Sequence, residues 1–351
     1  MNDTAKPKKQ AGGILLLLAL TALTVWIFLK DYSPQQLIEA LGKANPLYLL
    51  AGLGMMFVFV GCEAVNMKLI FHDLALTVPF RRCIGYAFIG FYFSSITPSS
   101  SGGQPMQMYY MNKDRIPVTY SSVAIFFIVL LYQIAMLLLG GLMWLIRPGL
   151  AGQMAGKLGL LLVYGVIMNA AAVAGILLIM YSKRAVPFLV NAAVRIGSRL
   201  RLIREPEATR SRLQESVRTY HEKTGYVKKN PSLFFKVLFV TMVQMTALNL
   251  VPWFVYCGLG FSGHGFLDFL ACQSILTISV SAVPLPGAVG AAEGGFLWAF
   301  VLLFPQSALA AAMIVSRGIS FYLFLFISFI VCFMIHLRIF GRRRKKDLTY
   351  A

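Results

Sequence analysis

Charge is what this sequence has least of, and acidic charge is the scarcest. The chain has 351 residues, of which 13% are charged and 58% are hydrophobic. A soluble globular protein carries about 25% charged and about 45–50% apolar residues. Half of the usual charge is too little to solvate the surface of a chain of this length. The composition therefore excludes a soluble enzyme, a disordered chain and a disulfide-stapled secreted domain. It predicts an all-α polytopic integral membrane protein.

Metal-ligating and redox side chains are also scarce. The sequence has five cysteines and four histidines, and no C-x-x-C pair occurs. We therefore expect no zinc site and no disulfide framework. The signatures G-x-S-x-G, H-E-x-x-H and G-x-x-x-x-G-K-[ST] are missing as well. The sequence predicts no cofactor, no metal and no catalytic residue. Without a nucleotide site, any transport is expected to be passive or driven by an ion gradient.

The basic residues outnumber the acidic ones, 32 to 13, which gives a net charge of +19. In a soluble protein this excess would indicate nucleic-acid binding. Here most of the basic residues fall on one side of the membrane if the N-terminus is cytoplasmic, as the positive-inside rule requires. We therefore expect no nucleic-acid partner, and both termini in the cytoplasm. Six apolar stretches have the roughly 20 residues that a span needs. They are residues 12–29, 46–70, 118–146, 158–181, 233–258 and 306–340.

These stretches divide the chain into two membrane repeats between basic aqueous segments. The first repeat is predicted at residues 12–157 and the second at 158–340, with cytoplasmic tails at 1–11 and 341–351. The loop at 182–232 is basic and cytoplasmic. It is interpreted either as an amphipathic helix on the inner membrane surface or as a solvated loop.

One apolar region, residues 83–112, does not fit the span rule. Basic residues flank it at both ends, so both ends should be cytoplasmic, and each arm is too short to span. Proline and glycine interrupt its middle, where a helix must stop. We predict a re-entrant hairpin that enters from the cytoplasm, with two short tilted spans joined by a surface turn as the alternative. The residues predicted at its tip are Thr97, Pro98, Ser99, Ser100, Ser101, Gly102, Gly103 and Gln104.

A second region, residues 266–304, is interrupted by proline and glycine in the same way. Its tip is predicted at Pro284, Pro286, Gly287 and Gly290. Because successive spans alternate in direction, the flanks of this region are expected to face outside. This hairpin would therefore enter from the opposite side of the membrane. Each half then contains spans and a hairpin in the same order but with opposite orientation. Inverted repeats with broken helices are typical of transporters.

Three ionisable residues lie inside the predicted membrane region, where charge is costly and usually functional. Glu293 follows the second tip, Arg317 lies near the middle of the last span, and Glu63 lies in the second span. We predict that these residues bind a charged lipid headgroup. The hydroxyls at 97 and 99–101 and the Gln104 amide would line the same polar cavity. The alternative for Glu293 and Arg317 is a buried structural ion pair.

The two interrupted segments also resemble a known family. The run T-P-S-S-S-G-G-Q-P at 97–105, followed by K-D-R at 113–115, is similar to the first signature of the lysylphosphatidylglycerol synthase transmembrane-region family. The run P-L-P-G-A-V-G-A-A-E-G at 284–294 is similar to its second, and Arg317 matches a basic position after it. Gln104 departs from the pattern, since many relatives carry Glu there.

This resemblance implies a function in lipid translocation. The family includes the flippase half of the bacterial multiple-peptide-resistance factor, whose separate soluble domain makes lysylphosphatidylglycerol. We therefore expect a flippase-like protein of the bacterial plasma membrane that handles an anionic or aminoacylated phospholipid. Two alternatives are kept. One is a phosphatidylglycerol lysyltransferase or its membrane subunit, although a soluble transferase domain is not expected in these 351 residues. The other is a scaffold for a separate transferase partner, with loop 182–232 as the docking surface.

Overall fold

The computed structural model describes residues 44–182 and 230–349, together with the single positions 42, 187 and 225. The predicted first span at 12–29, the N-terminal tail and almost all of loop 182–232 lie outside the described residues. The described part is helical, and its β-structure is limited to one isolated bridge. The all-helical prediction is confirmed for this part of the chain. The division into two repeats stays a prediction.

The first described half contains five helices. They are α1 (Pro46–Asp73), α2 (Phe80–Ile96), α3 (Gly103–Lys113), α4 (Val118–Ile146) and α5 (Pro148–Tyr181). The side chain of Asn45 caps the start of α1 by accepting from the Leu47 backbone N–H at 3.0 Å. Proline stands at the first turn of α1 and of α5, where a missing N–H breaks no helical hydrogen bond.

The second described half contains six α-helices and one π-helical segment. They are α6 (Pro231–Asn249), α7 (Val251–Gly258), α8 (Phe266–Val280), α9 (Ala291–Phe300), α10 (Gln306–Arg317), the π-helical segment Gly318–Leu323 and α11 (Phe324–Thr349). The basic residues predicted as a C-terminal tail from 341 therefore continue the last helix as far as Thr349.

Five helical stretches are long and apolar enough to cross a membrane. They are Pro46–Asp73, Val118–Ile146, Pro148–Met180, Pro231–Gly258 and Gln306–Ile339. All five coincide with predicted spans, and the sixth lies outside the described residues. One boundary differs from the prediction, because α5 begins at Pro148 rather than near 158. A kink at Gly159, whose φ of +45° is non-helical, separates the added turns from the rest of the helix.

Large apolar side chains lie on the outside of the bundle and polar ones lie inside it, as expected for a protein surrounded by lipid. Large apolar side chains such as Leu145, Leu160 and Phe239 are exposed on the outside of the bundle. Asn66 and Gln244 are buried inside it. An exposed apolar surface of this kind suits hydrocarbon, whereas buried polar groups need partners within the protein.

The bundle is organised around the antiparallel pair formed by α1 and α6–α7. At one end the Asn45 backbone N–H donates to the Gly258 carbonyl at 2.7 Å. At the other end the Asn230 side chain donates to Asp73 at 2.6 Å. Between the ends, Asn66 of α1 donates to Thr241 of α6. These contacts place the start of α1 beside the end of α7, and the end of α1 beside the start of α6.

Two pairs of short helices form hairpins that pack reciprocally. In the first hairpin α2 packs on α3, and in the second α8 packs on α9. The α2 arm contacts α11 of the second half, and the α8 arm contacts α4 of the first half. The junction of α4 with α5 also reaches the start of α8, where Arg147 pairs with Asp268 at 2.8 Å. Each hairpin is therefore held by the long helix that follows the other hairpin, which is the packing expected of an inverted repeat.

A glycine sets the distance between α5 and the second hairpin. A Cβ atom built on Gly165 would lie 2.2 Å from the backbone carbonyl oxygen of Ile278. Close backbone approach at small residues is the usual way in which membrane helices gain contact. The neighbouring side chains of α5 use this approach, because Asn169 donates to the Ser281 hydroxyl at 2.8 Å and Tyr164 donates to the Ala282 carbonyl at 3.1 Å.

We expect Gly165→Ala to destabilise the protein by about 1–3 kcal/mol, because the added methyl group must push backbone aside. Gly175→Ala is the matched control on the same helix, since its Cβ would meet no atom within 4 Å and alanine is the better helix former. Thermal unfolding in detergent compares the two variants. Equal melting temperatures for both would show that α5 and α8 are not in close contact at Gly165.

Candidate functional site

The tips of the two hairpins touch each other. An isolated antiparallel bridge pairs Pro98 of the first tip with Pro286 of the second. These prolines are 188 residues apart in sequence, so the contact joins the two halves of the chain at their broken segments. The sequence predicted both interruptions and a polar cavity that their residues share, but it did not predict that the tips contact each other directly.

The first tip is a polar turn that is closed by its own hydroxyls. Thr97 Oγ1 donates to the Phe93 carbonyl at 2.6 Å and accepts from the Gly102 N–H at 2.8 Å. Ser101 Oγ donates to the Pro98 carbonyl at 2.8 Å. These bonds satisfy some of the backbone N–H and C=O groups that lose their helical partners where the helix breaks. Such pairing is required wherever water is excluded.

Two serines at this tip are strained and exposed. Ser99 and Ser100 have φ values of +50° and +55°, and a non-glycine residue in this region costs about 1–2 kcal/mol. Ser99, Ser100 and Ser101 are exposed, and Gln104 is partly buried in the first turn of α3. Strained backbone that carries free polar groups is typical of functional sites.

The second tip is held by Glu293. This residue lies in the first turn of α9, and its Oε2 accepts from the Gly290 backbone N–H at 2.7 Å. The carboxylate thus caps the helix whose positive end it faces. Its Oε1 accepts from Arg317 Nε at 2.8 Å and from the Tyr322 hydroxyl at 3.3 Å. Glu293 is 4% exposed, so the ion pair is almost fully enclosed.

Arg317 links this pair to the backbone of the tip. Its Nη2 donates to the Gly287 carbonyl at 3.1 Å, and its guanidinium lies 4.5 Å from the centre of the Phe321 ring. Gly287 has a φ of +57°, and a Cβ there would enter the Phe321 ring. Only glycine fits this position. The π-helical segment after Arg317 supplies both Phe321 and Tyr322, and such segments recur at functional sites.

The guanidinium of Arg317 keeps donors to spare. An arginine has five N–H groups, and the hydrogen bonds among the described residues use one at Nε and one at Nη2. The side chain is 16% exposed. The remaining N–H groups can bind an anion without breaking the pair with Glu293.

The structure brings together most of the predicted site residues, but Glu63 has other partners. The tips of the first and second hairpins contact each other, and Glu293 and Arg317 hold the second tip. Glu63 instead accepts from the Gln244 side chain of α6 at 3.1 Å. Phe321 and Tyr322 were not predicted. They follow Arg317 by four and five residues in an apolar run, and only the π-helical turn directs them to the site.

A groove with a volume of about 500 Å³ opens beside α9 and α10. It lies one turn beyond Glu293 on α9 and about two turns before Arg317 on α10. The groove is mainly apolar, with one cation at its edge. Its lining residues are Lys157, Leu297, Trp298, Val301, Gln306, Leu309 and Ala310.

These features define a polytopic α-helical membrane protein in which two broken segments meet at their tips. The chain belongs to the family described as the lysylphosphatidylglycerol synthase TM region, whose model matches residues 14–328. It is 25% identical over 326 residues to a UPF0104 membrane protein of Archaeoglobus fulgidus, an alignment that covers 88% of this chain and 92% of the relative. It is also 26% identical over 106 residues to a UPF0104 membrane protein of Methanothermobacter thermautotrophicus, which covers 30% of this chain and 31% of that relative.

The contact between the tips can be tested by cross-linking. Residues directly opposite in an antiparallel bridge have Cα atoms about 4.5–5.5 Å apart, which is within the range that a disulfide needs. We expect the double variant Pro98→Cys/Pro286→Cys to form a disulfide under mild oxidation, detected by non-reducing peptide mapping.

The matched control is Pro98→Cys/Pro284→Cys, in which the second cysteine is displaced by two residues from the position that pairs with Pro98. Each single variant controls for pairing with a native cysteine. Efficient cross-linking of the control but not of the 98/286 pair would show that the register of the tips is wrong.

Proposed function

We propose that this protein is flippase-like and moves the headgroup of an anionic or aminoacylated phospholipid across the membrane. The observation that carries the proposal is the contact between two hairpin tips beside an arginine with unused donors. The headgroup would pass at the tips while the acyl chains stay in lipid. The family's name points to an aminoacylated phosphatidylglycerol as one candidate.

The first step of the proposal concerns orientation. We infer that the hairpins are re-entrant and enter from opposite sides, with both termini of the chain in the cytoplasm. The ends of the first hairpin lie beside the basic residues Arg81, Lys113 and Arg115, which favours a cytoplasmic origin. The start of the second hairpin lies beside the junction of α4 with α5, at the far end of α4. Two hairpins of 10–17 residues per arm meet most readily near the middle of the bilayer.

The second step concerns the headgroup. A phospholipid phosphate needs a cation and several donors, and a guanidinium offers both in one plane. Arg317 has donors that its partners leave free. The exposed hydroxyls of Ser99 and Ser100 stand at the other tip, which the bridge brings against the tip that Arg317 holds. Polar groups from both tips would replace the water that a headgroup loses in the bilayer.

The third step concerns the acyl chains. The groove between α9 and α10 is apolar along most of its lining, so it suits an acyl chain. Lys157 at its edge suits the phosphate of the same lipid when the headgroup lies at the membrane surface. The lining of the groove on α10 ends about two turns before Arg317, so an acyl chain held there would keep its headgroup close to the tips. The relatives are archaeal, so the bacterial plasma membrane stays a prediction.

Lipid translocation tests the site. We expect Arg317→Gln to slow the movement of fluorescent phosphatidylglycerol across proteoliposome membranes by about 10–100-fold. That range corresponds to losing a charge-assisted interaction of about 1.5–3 kcal/mol. The measurement is the rate at which labelled lipid becomes accessible to an impermeant quencher.

The matched control is Arg147→Gln, which removes an arginine whose carboxylate partner, Asp268, lies at the end of the bundle. We expect this variant to transport at the wild-type rate. A folded, monodisperse Arg317→Gln protein with unchanged translocation would refute the headgroup role of Arg317.

Cysteine labelling tests the orientation. We expect Arg81→Cys to react with an impermeant thiol reagent only from the cytoplasm, and Ser262→Cys only from outside. Ser100→Cys and Leu285→Cys, at the two tips, should react slowly from both sides. Rapid labelling of Leu285→Cys from the cytoplasm would mean that α8 and α9 are two full spans.

A further inference from the structure

We propose that Glu63 is a proton-binding site at the junction between the two halves of the bundle, separate from the headgroup site. Glu63 is a partly buried carboxyl in helix α1, a helix long and apolar enough to cross a membrane, and the lipid path at the tips does not use it. The proposal goes beyond the proposed function, and its main test does not depend on lipid transport.

Side chains from three other helices lie near Glu63, and one of them is hydrogen-bonded to it. Gln244 of α6 donates to its Oε2 at 3.1 Å. Gln107 of α3 lies near the same carboxyl, with its Nε2 donating to the Tyr86 carbonyl, and Tyr132 of α4 lies near it as well. Gln107 and Gln244 are almost fully buried, whereas Glu63 is partly buried. The polar side chains placed around this carboxyl are therefore neutral.

Glu63 has no cation to balance its charge. Among the described residues no Lys, Arg or His nitrogen lies within 4 Å of it. Lys68, on the same helix, donates instead to the Val78 carbonyl at 2.8 Å. Tyr132 and the adjacent Cys62 lie near Glu63, and neither carries a positive charge. An ionised carboxylate without a cation is expensive in a low-dielectric interior, and binding a proton removes that charge.

The surrounding atoms include acceptors that lack a donor. Gln244 Oε1 and Asn66 Oδ1 are buried and have no hydrogen-bond partner in the described structure. Gln244 contacts Glu63 directly, and Asn66 lies three residues from Glu63, on the same face of α1. A buried acceptor left unpaired costs about 1–3 kcal/mol. A protonated Glu63 adds one O–H donor to this cluster, which an ionised Glu63 cannot do.

The position of Glu63 connects its protonation to the hairpin. Gln107 belongs to the return arm of the first hairpin and also donates to the Tyr86 carbonyl of the other arm at 3.1 Å. Gln244 belongs to the second half of the chain. Gain or loss of a proton at Glu63 therefore acts on its hydrogen bond with Gln244 and on the surroundings of Gln107, at the place where the first hairpin meets the second half. If the protein moves lipid as proposed, this contact couples the movement of the tips to a proton gradient.

Infrared difference spectroscopy of the reconstituted full chain tests the proposal directly. Exposed carboxyls are ionised at neutral pH, because their pKa values lie near 4. We expect the wild-type protein to show the carbonyl stretch of a protonated carboxylic acid at neutral pH, with a shift to lower frequency in heavy water. Glu63→Gln should remove this band, and Glu63→Asp should keep it at a changed frequency. Asp268→Asn, at a carboxylate paired with Arg147, is the matched control and should leave the band unchanged.

Two results would overturn the proposal. One is a wild-type spectrum without the band at neutral pH. The other is a band that disappears on addition of Na⁺ but not of K⁺, which would make Glu63 a sodium ligand. A second measurement compares lipid translocation with and without a pH gradient. We expect the gradient to accelerate the wild type and to have no effect on Glu63→Gln. Absence of translocation in the wild type would refute the proposed function and leave the infrared result to decide on the proton site.

Discussion

The ion pair between Glu293 and Arg317 is the interaction on which the centre of this protein depends. Helix α9 begins after a stretch that has lost its helical hydrogen bonds, and Glu293 replaces one of them by accepting from Gly290. Arg317 neutralises that carboxylate and holds the Gly287 carbonyl. A buried acid without this cation would be costly in the membrane. The pair therefore keeps the second tip folded, and the second tip in turn provides Pro286, against which the first tip rests.

Much of this architecture could be predicted from the sequence, because hydrocarbon imposes simple rules on length and composition. Five spans and both interruptions are visible as apolar runs and as Pro/Gly clusters. The start of α5 could not be predicted in this way. Lys157 and the glycines between 149 and 159 make that stretch resemble a loop, whereas the structure shows a short helix with Ala151 and Met154 buried. Hydropathy records which residues tolerate lipid. It does not record where a helix is packed against protein.

The charged residues of the candidate site could be predicted from the sequence, but the contacts that they make could not. Glu293 and Arg317 are conspicuous because acids and bases are rare in apolar runs. Their partners are common residues, and Tyr322 reaches Glu293 only because the helix after Arg317 widens to a π-turn. Glu63 was conspicuous for the same reason as Glu293 and was assigned to the same headgroup site. The structure separates the two acids by their partners: one has an arginine, and the other has only amides and a tyrosine.

A structural role and a binding role for Arg317 are compatible because they use different atoms. Nε and one N–H of Nη2 are committed to Glu293 and to the tip backbone. A phosphate that binds the other N–H groups does not have to displace the carboxylate, so the tip stays folded while the headgroup is held. The same geometry limits affinity, since Glu293 cancels most of the charge that a phosphate would otherwise meet. The transport proposed above requires release of the headgroup, and an arginine whose charge is largely neutralised by Glu293 suits brief binding better than an isolated cation would.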